Sequence, residues 1–306
     1  MRLAAVIALL LALALSGCGL GAGAKPAGTK LTITRDFGAR SLRELDAPQV
    51  KGSETVMRVL QRNAKVTTRF GGGFVQSIDG LAGTGDSDWF FYVNGIESPV
   101  GSADVQVKGG DRIWWDYRNW SAAMSVPAVV GSWPEPFAQA SADRPRPVPV
   151  ECLGVRPACE TASHRLSGLG VRAPVVAAGK ALAGSARVLV GPWTKVSSDP
   201  AVDELRGGTQ STGVFATFKG PIDGGWHLIG LDQTGHPTRD LGSGAGLVGA
   251  LRGSGDEPTW IVTGSGGSAV RRAAEALDSD SLRDRYAIAA TRGGPVPLPI
   301  VSGGGE

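Results

Sequence analysis

Charge of one sign is scarce in this chain of 306 residues: Lys and Arg total 31 against 28 Asp and Glu, a formal net charge of +3. A nucleic-acid partner would require a basic stripe or cluster, and the pattern offers none. Histidine is rarer still. His164, His227 and His236 share no ligand-like spacing, so a histidine-based metal centre finds no support. Long apolar runs are confined to one, the thirteen residues from Leu3 to Leu15. That run falls short of the roughly 20 residues that cross a bilayer. No nucleophile elbow appears, and Asp278 and Asp280 read as flanks of a helix start on a solvated surface. These absences point to a chain that is no enzyme and has no cofactor or nucleic-acid partner. Its 42% hydrophobic and 19% charged residues exclude wholesale disorder, and the length suffices for two modest domains.

What is present begins at the N-terminus. Arg2 precedes the apolar run, and Leu15-Ser16-Gly17-Cys18 closes it. A short positive start, an apolar stretch of this length and small residues at its end form a secretory signal over residues 1–17. The closing four residues resemble the bacterial lipobox, whose cysteine is diacylated and becomes the mature N-terminus; an ordinary signal peptide ending near a cysteine is the alternative. The first reading attaches Cys18 to membrane lipid on the extracytoplasmic face, with residues 18–29 as a tether. Cys152 and Cys159 then remain as an even pair. Outside the cytoplasm such a pair most simply forms a disulfide. A metal or redox pair is the alternative, although the spacing fits neither a zinc knuckle nor a thioredoxin motif.

From Leu31 to Trp120 the pattern is strands with one helix, the order of a small α+β roll. Leu31-Thr32-Ile33-Thr34 alternates as a half-buried strand does. Ser53 is the expected N-cap of a helix carrying Val56, Val59, Leu60 and Ala64 on one face. Two aromatic strands follow, one closed by Asn94-Gly95, a tight-hairpin signal. Period-two alternation sets Trp89, Phe91 and Val93 against Phe90, Tyr92 and Asn94, and Ile113, Trp115 and Tyr117 against Trp114, Asp116 and Arg118. One helix covers one face, so the second needs a partner: a flat ligand, a sugar ring, another protein, or the 121–140 segment folding back with Trp133-Pro134-Glu135-Pro136-Phe137 as a cap. The candidate ligand-binding set is Tyr92, Asn94, Trp114, Tyr117 and Trp120, with Asp116 and Arg118 as further polar groups.

The helix at Thr55–Leu60, then Gly73-Phe74-Val75-Gln76-Ser77-Ile78-Asp79-Gly80, Trp89-Phe90-Phe91-Tyr92-Val93-Asn94-Gly95 and Gly110-Asp111-Arg112-Ile113-Trp114-Trp115-Asp116-Tyr117 resemble the transcobalamin C-terminal-like domain. That family is a soluble-ligand-binding β-grasp module, widespread on bacterial surfaces and often of unassigned role. The resemblance implies a β-grasp fold over residues 30–122 and a small ligand, cobalamin-like or another vitamin, taken up with a transporter partner. In transcobalamin the domain closes over a corrinoid held against a helical barrel, for which this chain has no pattern.

Residues 123–147 read as a Pro-rich linker, and 148–296 as a separate α/β domain of three strand-helix-strand units, with 297–306 a flexible tail. The units begin at Val148, Ala186 and Thr259; the second returns through Gly213-Val214-Phe215-Ala216. Gly264-Ser265-Gly266-Gly267-Ser268 stands where backbone amides can hold an anion. It lacks the phosphate- and dinucleotide-loop patterns and reads as a plain strand-to-helix turn with Ser268 as N-cap. The leading expectation is a lipid-anchored ligand-binding protein, and the alternative is a non-catalytic envelope lipoprotein that docks another protein. Replacing Cys18 by Ser should abolish fatty-acid incorporation; equal labelling of the mutant and the wild type would refute the lipid anchor.

Overall fold

The computed structural model describes residues 28–301 apart from 47, 51–53, 139–146, 182–183, 223 and 253–256. Cys18, the signal segment, most of the tether, Ser53 and Pro145, the first of the alternating prolines, therefore lie outside the described residues. The first half opens with strands β1 (Lys30–Arg35) and β2 (Arg40–Leu45), followed by helix α1 (Val56–Asn63). Next come β3 (Val66–Arg69), β4 (Phe74–Ile78), β5 (Leu81–Ala82), β6 (Ser87–Val93), β7 (Ile96–Glu97) and β8 (Arg112–Asn119). β8 returns parallel to β1, with Leu31 opposite Ile113 and Ile33 opposite Trp115. The resulting sheet runs β2-β1-β8-β6-β7, while β3, β4 and β5 form a small sheet of their own. A hairpin, a helix and a last strand laid parallel beside the first is a β-grasp-like arrangement, so the α+β expectation holds.

Local sequence accounts for these elements. Leu31 and Ile33, two apart, are buried from the same face of β1. Val56, Met57, Val59 and Leu60 give α1 its buried stripe. The N-cap is Thr55, whose Oγ1 accepts from the Arg58 N–H at 3.4 Å. Asn94 and Gly95 both take positive φ, 55° and 77°, and turn β6 into β7.

The second half holds a seven-stranded sheet, built from β9 (Val150–Cys152), β10 (Val175–Ala177), β11 (Arg187–Pro192), β15 (Gly246–Leu251), β16 (Thr259–Gly264), β17 (Ala287–Thr291) and β18 (Gly294–Leu298). The strand order is β10-β9-β11-β16-β15-β17-β18. Helices α2 (Arg156–Ser167) and α3 (Gly267–Glu275) pack on one face. On the other lies a three-stranded sheet of β12 (Ala216–Ile222), β13 (Gly225–Leu231) and β14 (Pro237–Asp240). The threefold repeat is only partly realised. The return strand of the second unit leaves the main sheet as β12, and β15 wedges antiparallel between the two strands of the third. All six residues of β15 are buried, so Gly-Leu-Val-Gly-Ala-Leu shows no alternation to announce a strand. α3 starts at Gly267 with Gly266 as N-cap, two residues earlier than the expected cap Ser268. Asp278 does cap a helical turn, accepting from the Ser281 N–H at 2.8 Å.

The two halves are not separate. Ala123, Val126, Val129, Val130 and Phe137 are fully buried, so this part of the expected linker is core. Its main chain bonds to both sides: the Val129 N–H donates to the Gly95 carbonyl at 2.9 Å, and the Val130 N–H to the Tyr286 carbonyl at 3.3 Å. Trp133 and Phe137 do not cap the aromatic strands; they pack on Trp260, at ring distances of 5.6 and 4.9 Å. The expected tail is also corrected through residue 300, because β18 pairs with β17 and the Ile300 N–H donates to the Leu231 carbonyl at 2.8 Å. The physical reason is common to both corrections: apolar residues between prolines and glycines still bury wherever a neighbouring face is unfilled.

Cys152 and Cys159 form the expected disulfide, with Cα atoms 5.6 Å apart, joining the end of β9 to the first turn of α2. The loop is short, and closing it restricts the unfolded chain by about 2.5 kcal/mol in the chain-entropy model. Urea unfolding with and without reductant should differ by about that amount, and coincident curves would contradict a stabilising role.

Candidate functional site

The second aromatic face, expected to be the ligand platform, is core. Tyr92 and Trp114 are buried against Phe37, Phe215 and Tyr286 of the same cluster. Tyr286 meets both rings edge-on, with centroids 5.8 Å from Tyr92 and 5.4 Å from Trp114. Beneath them lies a polar chain that joins the halves. The Trp114 indole N–H donates to Thr34 Oγ1 at 2.8 Å, and the Thr34 hydroxyl donates to Asp116 Oδ1 at 2.6 Å. Gly38 N–H reaches the same oxygen at 3.1 Å. Tyr92 donates to the Tyr286 hydroxyl at 3.3 Å, and Tyr286 donates to Asp116 Oδ2 at 3.0 Å. Both carboxylate oxygens are therefore engaged. Burial pushes the Asp116 carboxyl up to about 6, against the pull of these donors. Burial likewise raises both tyrosine hydroxyls above their ordinary value.

Arg118 is buried beside them. Its guanidinium donates to the carbonyls of Ala123 and Met124 and stands 3.7 Å from the Phe90 ring centroid. Asn94 is also structural: its amide donates to Asp111 Oδ1 and its carbonyl accepts from the Arg112 N–H, both at 2.9 Å, which locks the β6–β7 turn. Tyr117 packs edge-on against Trp89 and donates to the Ala82 carbonyl at 3.1 Å. Four of the five candidate ligand residues are thus absorbed by the fold. Trp114 contributes only a buried edge to a small polar cleft beside Lys30 and Asp284, while Trp120 lines the larger, aromatic one.

That site begins on the helix side of the sheet. α1 has eight residues, about 12 Å of helix at 1.5 Å per residue. β8 has eight residues as well, about 27 Å of strand. The helix cannot cover the sheet it crosses. Beyond it, the β3–β4 hairpin and the loop of residues 97–102 leave a cleft of about 620 Å³ between themselves and β6. Phe74, Trp89, Phe90, Phe91, Trp115 and Trp120 line it, with Val100 and Met124 at 51% and 65% exposure. Asp88 and Glu97 are the charged side chains of the lining. Glu97 Oε2 accepts from the Val126 N–H at 3.1 Å and holds residues 125–126 in place. Most of these residues were legible as strand positions. What sequence reasoning missed is that the helix-side face would stay partly open while the opposite one closed.

Fold and site together define a β-grasp-like sheet with an open aromatic cleft, fused through a shared core to an α/β layer. Residues 53–119 match the family described as a domain of unknown function, DUF4430. The match takes in α1 and the cleft strands β4, β6 and β8, and stops before Trp120. A crystal structure described as "a putative metal binding protein" from Ruminococcus gnavus is similar at 13% identity, over 30% of this chain and 97% of that one, with a TM-score of 0.25. No curated protein matches the chain. Among the described residues, no group of three or more His, Cys, Asp or Glu side chains is placed to hold a metal ion.

The buried carboxyl makes stability depend on pH. With a folded-state value near 6 against 3.8, the stability that the protonated Asp116 carboxyl contributes is complete below about pH 4 and is lost as pH rises through 6. Relative to wild type, Asp116→Asn should therefore gain of order 2 kcal/mol between pH 4 and pH 7. Urea unfolding at the two pH values checks this; a mutant–wild-type difference that stays constant would show that the carboxyl is not strained by burial.

Proposed function

We propose that this protein is an exported, lipid-anchored binding protein that acts without catalysis, and that the aromatic cleft is its ligand site. The cleft carries the reading: six aromatic side chains converge on about 620 Å³ of open space, a size typical of small-molecule sites. Stacking on such rings contributes about 0.5–1.5 kcal/mol each beyond area burial. The DUF4430 match falls on the stretch that resembles the transcobalamin C-terminal-like domain, which supports a ring-bearing, vitamin-like solute such as a corrinoid. Leu15-Ser16-Gly17-Cys18 and the Cys152–Cys159 disulfide support an extracytoplasmic address. Lipid on Cys18 would hold the cleft beside a membrane transporter, and uptake is the role that fits.

A second reading, docking of another protein, draws on Phe70 and Phe74. They are 84% and 63% exposed and touch edge-on at the tip of the β3–β4 hairpin. Tryptophan fluorescence of the whole mature chain separates the two. Titration with cyanocobalamin and riboflavin should quench it, and Trp120→Ala should weaken binding about tenfold through lost stacking and burial. Absence of quenching by either compound, with the chain folded by circular dichroism, would leave the docking reading ahead.

A further inference from the structure

The cleft is also an open strand edge. β7 pairs with β6 only at Tyr92 and Val93, so Asp88–Phe91 have β8 on one side and, among the described residues, no strand on the other. The parity of the ladder is fixed by two bonds of 2.9 Å, from the Trp120 N–H to the Asp86 carbonyl and from the Asn94 N–H to the Arg112 carbonyl. Even-numbered residues of this stretch therefore bond towards β8. Trp89 and Phe91 turn their peptide groups to the free edge. The Trp89 N–H is met by the carboxylate of the preceding residue, Asp88 Oδ1, at 2.8 Å, a side chain standing where a strand carbonyl would be. The Trp89 carbonyl and both peptide groups of Phe91 face the cleft side. Phe74 and Val75 of β4 form part of its far wall.

We infer that the cleft takes an extended peptide, which adds to the edge of β6 as a further strand. This rests on the cleft being a binding site, not on a vitamin-like identity for its occupant. Strand addition needs three things that meet here. Free peptide groups supply the pairing. Side chains of both faces flank the edge, Trp89 and Phe91 on one and Phe90 on the other, so alternate residues of the incoming strand each find an aromatic wall. Charge sets the preference, because Asp88 and Glu97 line the cleft together with no Lys, Arg or His. The peptide that fits is apolar with basic residues, four or five residues long, since four residues of edge extend about 13 Å.

The test uses the whole chain and an acetylated, amidated pentapeptide alternating lysine with phenylalanine and valine, titrated by calorimetry. Two variants accompany it: one with the edge-facing amides N-methylated, one with glutamate for lysine. Pairing through the main chain predicts that N-methylation weakens binding at least about tenfold although every side chain is kept. Glutamate should weaken it by a similar factor through repulsion from Asp88 and Glu97. An N-methylated peptide that binds as well as its parent overturns strand addition, and so does a parent peptide that does not bind. If cyanocobalamin or riboflavin then binds and is lost in Trp120→Ala, the cleft remains the ligand site and only the peptide inference falls.

Discussion

The hydrogen bond from Tyr286 to Asp116 joins residues 170 positions apart, and much of the molecule is arranged around it. A carboxyl group removed from water must be met by donors or by a proton. Here Thr34, Gly38 and Tyr286 supply the donors, one of them from beyond β16. The rings that shield this site from water, Phe37, Tyr92, Trp114 and Phe215, come from both halves. Neither half would keep these groups buried alone. The chain is for that reason one cooperative core rather than two beads on a Pro-rich string.

That core fixes where a ligand can go. Once the face carrying Tyr92 and Trp114 is sealed by the second half, the sheet of the first half keeps open aromatic surface where α1 is too short and β7 too brief to finish their coverage. The cleft along β6 is the consequence. Its aromatic side chains belong to both faces of the strand because it wraps around an edge, which is why the alternation of residues could not single them out. The exposed Phe74, Val100 and Met124 cluster there for the same reason.

Other features serve rigidity. Arg118 binds the carbonyls that begin the crossing segment and stacks on Phe90, so the back of the cleft is tied to the interface. Glu97 fastens residues 125–126 from the other side. The disulfide pins the first turn of α2 to the end of β9. Structural ties of this kind account for most of the polar residues that looked like ligand contacts, Asn94 above all.

Local pattern determined a good deal. The strands β1, β6 and β8, the helix α1, the Asn94-Gly95 turn and the pairing of Cys152 with Cys159 could be read directly, since each rests on side-chain period, turn chemistry or cysteine parity within a short stretch. Tertiary structure decided the rest. Which aromatic face would close depended on Tyr286 arriving from β17's approach, and β15 depended on neighbours that bury both its sides. The fate of residues 123–138 and 297–300 depended on an unfilled apolar surface supplied by distant chain. Such facts have no local signature, because burial is a property of the partner surface as much as of the residue that seeks it.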